Sequence, residues 1–225
     1  MRLVPVLLAL LAAPLVRAQP AADSAPLAIA TDIEGAVLLG EADAPLAPVQ
    51  PVRAYDRLGT SAEGALVLHF ADGLRARWGG STAAMVSGQY ADGRYTDRGL
   101  ALDSGFVAYR FAADAPAQPL RIGATGQTAV ASVEVGSGAA LADTAGLRLV
   151  VLEGEGLVFD SASGDSLTVL PGMVGVATAD GLQLRSSTLA ERDRIAEPTE
   201  RRRRLLVPGT DDEGNARTFI IEWDE

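Results

Sequence analysis

From Leu27 to about Leu184 the chain repeats one pattern: a short apolar run, then glycine or an Asp-Gly step, then another run. The runs include Ala36–Leu39, Ala65–Phe70, Leu74–Trp78, Phe106–Phe111, Thr128–Val135, Leu147–Leu152, Leu157–Phe159, Leu167–Leu170, Val174–Ala177 and Leu182–Leu184. Asp72-Gly73, Asp92-Gly93, Gly164-Asp165 and Asp180-Gly181 supply turn dipeptides between them. Several runs alternate with period two. Leu66, Leu68 and Phe70 share one strand face, and Val107, Tyr109 and Phe111 oppose Phe106, Ala108 and Arg110. No stretch of this region holds a helical period. About a dozen short strands at roughly 8–12-residue spacing predict an all-β fold: a sandwich-like stack, a barrel or a solenoid.

The ends depart from this pattern. Met1-Arg2 followed by the uncharged run Leu3–Val16 reads as a signal peptide over 1–18, cut after Ala18. The run is too short to span a bilayer, so the mature chain is expected to lack a transmembrane segment. Residues 19–28 read as a flexible leader and 29–186 as the β domain. Residues 187–217 read as a charged linker in which Leu189–Ala196 forms a short helix ended by Pro198, and Leu205 to Asn215 reads as loop. Residues 218–225 read as a final strand, docked on the body by Phe219, Ile221 and Trp223.

Composition narrows the function. The 225 residues include no cysteine and one histidine, His69, which excludes thiolate chemistry, Cys-ligated metals and multi-histidine sites. Signal cleavage removes Arg2 and Arg17, leaving 17 basic against 29 acidic residues, a net charge of −12. Such a surface repels nucleic acid. Every basic residue is arginine, as GC-rich coding or salt adaptation would produce. Export without cysteine fits a bacterial periplasm or cell surface.

Four local motifs offer chemistry. Gly164-Asp165-Ser166-Leu167 spells the nucleophile block of the GDSL esterases, but it lies late in the chain and no histidine follows, so a hairpin turn is the better reading. His69 alternates outward with Val67. Asp211-Asp212-Glu213-Gly214-Asn215 clusters oxygen ligands without EF-hand spacing. Arg201-Arg202-Arg203-Arg204 is the strongest local charge and could grip an acidic partner. No set forms a catalytic constellation, and the chain reads as a non-enzyme without cofactor or metal.

The order of blocks from Ile29 to Leu184 resembles the FecR domain family. The matching blocks are Glu34-Gly35-Ala36-Val37, Tyr55-Asp56-Arg57-Leu58-Gly59-Thr60, the strand Ser61–Phe70 with Asp72-Gly73, and Leu74–Trp78 with Ser81–Val86. They continue with Leu102-Asp103-Ser104-Gly105-Phe106-Val107-Ala108-Tyr109, then Val150 to Leu157, then Leu170-Pro171-Gly172-Met173. Tyr55 stands where the family usually has glycine, and Ala131-Ser132 replaces the family's central Gly-Thr. The resemblance implies a stand-alone, exported FecR-like module with a β-solenoid-like stack. It also implies no direct contact with a sigma factor, because the cytoplasmic regulator region is missing. The functional expectation is a module that binds another envelope protein, in cell-surface signalling or envelope organisation, with Arg201, Arg202, Arg203, Arg204 and Trp223 as partner contacts. The alternative is glycan or peptidoglycan recognition by Trp78, Tyr90 and Tyr95, joined by Tyr109, Asp92 and Asp97.

Overall fold

The computed structural model describes residues 25–39, 43–113, 118–196, 203–210 and 216–223. The signal segment, most of the leader, Arg201, Arg202 and the Asp211–Asn215 cluster lie outside them. The described chain is all-β apart from one short helix. The first strands are β1 (Ala28–Leu39), β2 (Ala44–Pro45), β3 (Gln50–Val52), β4 (Arg57–Phe70), β5 (Arg75–Trp78), β6 (Ala83–Ala91) and β7 (Arg94–Arg110). Next come β8 (Leu120–Ala124), β9 (Ala129–Val133), β10 (Ser137–Asp143), β11 (Gly146–Glu153), β12 (Gly156–Asp160) and β13 (Ser166–Val169). The chain ends with β14 (Met173–Thr178), β15 (Gly181–Ser186), α1 (Leu189–Ala196), β16 (Arg203–Thr210) and β17 (Ala216–Trp223).

The pairing resolves into two layers. One runs β2-β1-β4-β6-β7-β8-β9-β12-β13, the other β3-β1-β4-β5-β7-β10-β11-β14-β15. Strands β1, β4 and β7 appear in both, because each is long enough to bend from one layer into the other. In β7, Gly99–Leu102 pairs with β8, whereas Gly105–Arg110 pairs with β10. In β4, Arg57–Gly59 pairs with β6 and Leu66–His69 with β5. All pairs are antiparallel except β7 with β8. Stacked solenoid coils would pair in parallel, so the sandwich-like stack is the arrangement realised.

A seam of hydrogen bonds fixes these bends. The Thr60 hydroxyl donates to the Gly79 carbonyl at 2.6 Å and accepts from the Thr82 N–H at 3.1 Å. Buried Thr82 then grips β7: its hydroxyl donates to the Phe106 carbonyl at 3.2 Å and accepts the Phe106 N–H at 3.0 Å. Gly105 turns the strand at φ 101°, and a Cβ there would lie 2.5 Å from the Thr82 Cα. Only glycine satisfies both the dihedral and the contact.

Between the layers lies one core. Leu100, Leu102, Leu120, Ile122, Ala131, Val133 and Val158 face Leu66, Leu68, Trp78, Val107, Tyr109, Leu147, Leu149 and Val151. The second layer also buries its outer face. Phe106, Ala108, Ala139, Val150 and Val174 pack under Ile195 of α1. The helix is held at both ends. Thr188 and Glu191 form a capping box, with the Thr188 hydroxyl accepting the Glu191 N–H at 3.2 Å and the Glu191 carboxylate accepting the Thr188 N–H at 2.9 Å. At the other end the Arg77 guanidinium donates to the carbonyls of Arg194 and Ile195 at 3.3 and 3.4 Å.

Several sequence expectations need correction. The segment 187–217 is not simply a linker: its helix forms as expected and packs on the body, and Arg203–Thr210 is a strand rather than a loop. That strand pairs with Ala216–Trp223 in a separate two-stranded sheet. The stretches Leu120–Ala124 and Ser137–Asp143, poor in large apolar residues, are strands too.

Two expected outcomes follow from this construction. Gly105→Ala destabilises the fold by about 2–3 kcal/mol, read by denaturant melts, because strain and a backbone clash coincide there. An unchanged midpoint would show the bend to be dispensable. The second concerns Glu191, whose carboxyl is held down at about 2, first by the Arg185 hydrogen bond and then by the Thr188 bonds. A depressed folded-state value means the helix contribution is complete above the ordinary carboxylate range and is lost as pH falls from there toward about 2. Hydrogen-exchange protection of Leu189–Ala196, corrected for intrinsic rates, should decline over that window in wild type. In Glu191→Gln it should already be low at neutral pH.

Candidate functional site

The aromatic platform expected for a glycan does not assemble. Trp78 is fully buried, at 0% exposure, and Tyr109 is buried beside it in the core. Burial raises the Tyr109 phenol well above its ordinary value. Tyr90 and Tyr95 are half-buried and stack on each other, with ring centroids 4.6 Å apart. The Tyr95 hydroxyl donates to the Leu27 carbonyl and accepts the Ala71 N–H, each at 2.7 Å. Burial pushes its phenol up to about 12. Trp78, Tyr109 and Tyr95 thus serve the interior, and Asp97 is spent on an exposed ion pair with Arg121 at 3.1 Å.

Tyr95 belongs to a closed polar cluster that alternation could have revealed. Arg98 shares the inward phase of Leu100 and Leu102 on β7 and is fully buried. Its guanidinium meets the Asp72 carboxylate at 2.6 Å and the Gln118 carbonyl at 2.8 Å. Three rings surround it, with centroids at 4.6 Å for Tyr95, 5.2 Å for Phe70 and 5.8 Å for Phe111. Asp72 is therefore more than a turn residue. Its side chain is 3% exposed, and it supplies the counter-charge that makes the buried arginine tolerable.

The exposed chemistry lies elsewhere, in two turns that flank edge strand β3. In Ala47–Gln50, the Gln50 N–H donates to the Ala47 carbonyl at 3.2 Å, and the Gln50 side chain accepts the Ala47 N–H at 2.8 Å. In Arg53–Asp56 the same two bonds recur: Asp56 N–H to the Arg53 carbonyl at 3.2 Å, and Arg53 N–H to the Asp56 carboxylate at 2.8 Å. The third residue of each turn has positive φ, 60° at Val49 and 71° at Tyr55. Turns of this kind favour glycine or asparagine at that position. Here it carries large apolar side chains, 64% and 65% exposed. The second turn is also tied to β6 through Tyr55 N–H to the Val86 carbonyl at 2.7 Å and Val86 N–H to the Asp56 carbonyl at 2.9 Å. The Asp56 carboxylate thus closes the second turn, whereas Val49 falls in none of the blocks that the sequence singles out.

The remaining candidates stay apart. Ser166 is on β13 at the edge of one layer, and His69 is on β4 in the other, paired with Ile29 and Arg75. Burial and then the Arg75 charge lower the imidazole below its ordinary value. Among the described residues, no three of His, Asp and Glu gather as a metal site would require. Arg203 and Trp223 are directly opposed across the β16–β17 pair.

No family model matches the chain and no curated protein matches it. Among solved structures it is similar to a candidate anti-sigma factor from Parabacteroides distasonis ATCC 8503, in crystals at 1.65 and 2.50 Å. Both comparisons have a TM-score of 0.48, with 14% and 15% identity, over 61% of this chain. The match spans 62% of that protein's chain, somewhat under two thirds of its length.

The buried cluster gives a clean test. Asp72→Ala strands the Arg98 charge in the interior and should cost about 3–5 kcal/mol. The double variant Asp72→Ala with Arg98→Met should recover part of that loss. Strictly additive losses in a double-mutant cycle would show that the pair is not coupled.

Proposed function

We propose that the chain is an exported, non-catalytic FecR-like module that works by binding another envelope protein, in cell-surface signalling or envelope organisation. The observation that carries this reading is the strain at Val49 and Tyr55. Each turn is closed twice over by hydrogen bonds, so the scaffold holds these residues in a conformation they disfavour and turns their side chains to solvent. Backbone strain held at exposed apolar residues fits a surface preorganised for a partner. Tyr55 sharpens the point. The backbone there wants the glycine of the resembled family, and a tyrosine is present instead. The export reading rests on Met1–Ala18, and the protein-partner reading is also favoured by the acidic surface, which disfavours nucleic acid.

Tyr55→Gly separates the two roles of the position. Relief of the strained φ, offset by the greater freedom of unfolded glycine, should stabilise the protein by about 0.5–1 kcal/mol. The same change should abolish the partner cross-link formed by the mature chain in its native envelope. A photo-cross-linker placed at 49 should capture the same protein in stoichiometric yield, and one at 180 should not. Retained capture by Tyr55→Gly would sink the reading.

A further inference from the structure

The two layers end in four edge strands, and the chain guards them unequally. At one end of the sandwich the edges are β2 and β3. Each holds a proline, Pro45 and Pro51, which cannot donate to an added strand. At the other end the edges are β13 and β15, and neither holds one. The ladder shows which backbone groups of β15 face outward. Ser187 N–H donates to the Gly172 carbonyl at 2.8 Å, and Gly181 lies opposite Thr178 across a tight turn. Antiparallel bonding alternates, so between these anchors Gly181, Gln183 and Arg185 turn their backbone groups to β14. The N–H and C=O groups of Leu182, Leu184 and Ser186 point away from the sheet. Among the described residues no strand pairs with that side of β15. Side chains follow the same alternation. Leu182 and Leu184 share the inner face with their β14 partners Ala177 and Gly175. Leu182 packs against the core, but Leu184 is 43% exposed, so the opposing layer stops short of it. Gln183 and Arg185 lie on the outer face, opposite Val176 and Val174.

We propose that β15 pairs with β15 of a second copy of this chain, antiparallel and centred on Leu184, so that one sheet runs through a two-fold dimer. The strand is complementary to itself. In this register Leu184 faces Leu184 and Leu182 faces Ser186 twice, so the outward groups of the two strands meet in about six ladder hydrogen bonds. The Ser186 carbonyl already accepts from Arg185 at 3.1 Å and has a second lone pair for this. The two exposed Leu184 side chains cover each other on the inner face. On the outer face Gln183 stands opposite Arg185 twice, an amide against a guanidinium. Centring on Gln183 would leave only about four bonds, and centring on Arg185 would oppose two like charges. Charge also selects the occupant. Residues 181–186 contain no acid, and the Arg185 guanidinium is held by the Glu191 carboxylate at 2.9 Å. This edge of an acidic chain is therefore neutral. It calls for a neutral strand with an apolar inner face and a polar outer one, which describes β15 itself. The Val49 and Tyr55 turns flank β3, at the far end of the same layer, so the dimer stands independently of the proposed partner site.

The lack of native cysteine makes the test direct. Two differently tagged mature chains, one Gln183→Cys and the other Arg185→Cys, are mixed under mild oxidation. A covalent dimer carrying both tags is expected, and neither chain alone should cross-link to itself with comparable yield. Two substitutions at exposed Leu184 test the pairing by sedimentation. Leu184→Pro removes one outward donor and no bond to β14, and Leu184→Lys sets two like charges on the dimer axis. Each should weaken dimerisation at least about tenfold while circular dichroism stays that of the wild type. Tyr55→Gly should leave dimerisation unchanged. A mature chain that sediments as a monomer, its edge left to its own β16–β17 hairpin or to another protein, would overturn the proposal. So would a dimer indifferent to both Leu184 variants, or one in which Gln183→Cys cross-links to itself as readily as to Arg185→Cys.

Discussion

The hydroxyl of Thr82 holds the architecture together. It satisfies both backbone groups of Phe106 at the point where β7 leaves one layer for the other. If that bend failed, the pairing of β7 with β8 on one side and with β10 on the other could not coexist, and the two layers would lose their shared centre. Gly105 makes the bend possible, and the Thr60 hydroxyl, bonded to Gly79 and Thr82, ties β4 to the same seam. The core then follows from alternation, since inward residues of both layers are brought face to face.

Polar and strained features divide sharply between inside and outside. The Arg98–Asp72 pair is enclosed by Phe70, Tyr95 and Phe111 and is shut off from solvent. It orders the end of the sandwich where the β4–β5 turn meets β7. The Val49 and Tyr55 turns are closed just as firmly through their backbones, yet their side chains point to solvent. Rigidity closes over a buried charge in the first case and holds exposed apolar side chains in the second.

Much of this was legible in the residues. Alternation in Leu66–Phe70 and Phe106–Phe111 identified strands and their inward faces, and Thr188 to Pro198 marked the helix. The reading faltered where glycine served as a bend rather than a break. Gly64 and Gly105 divided β4 and β7 into separate runs on paper, whereas each is one strand crossing both layers. Ser137–Asp143 was missed because alanine-rich text has little hydrophobic contrast, although Ala139 and Ala140 are fully buried between larger neighbours. Trp78 and Tyr95 were weighed as surface groups because aromatic character alone does not tell a core residue from a platform. Phase would have helped, since Trp78 lies two residues from buried Ala76. The strain at Tyr55 was hinted at only by its departure from a glycine position. Its sign of φ is a property of the folded turn.

Three strands common to both layers also govern how the molecule gives way. In an ordinary sandwich the sheets can shear past one another, and an edge can peel while the rest persists. Here β1, β4 and β7 are rivets through both plies. Load applied along β1 passes into β4 along most of its length, first in one ply and then in the other. Delamination would require the three bends to straighten together, so the body resists partial opening and yields as one unit.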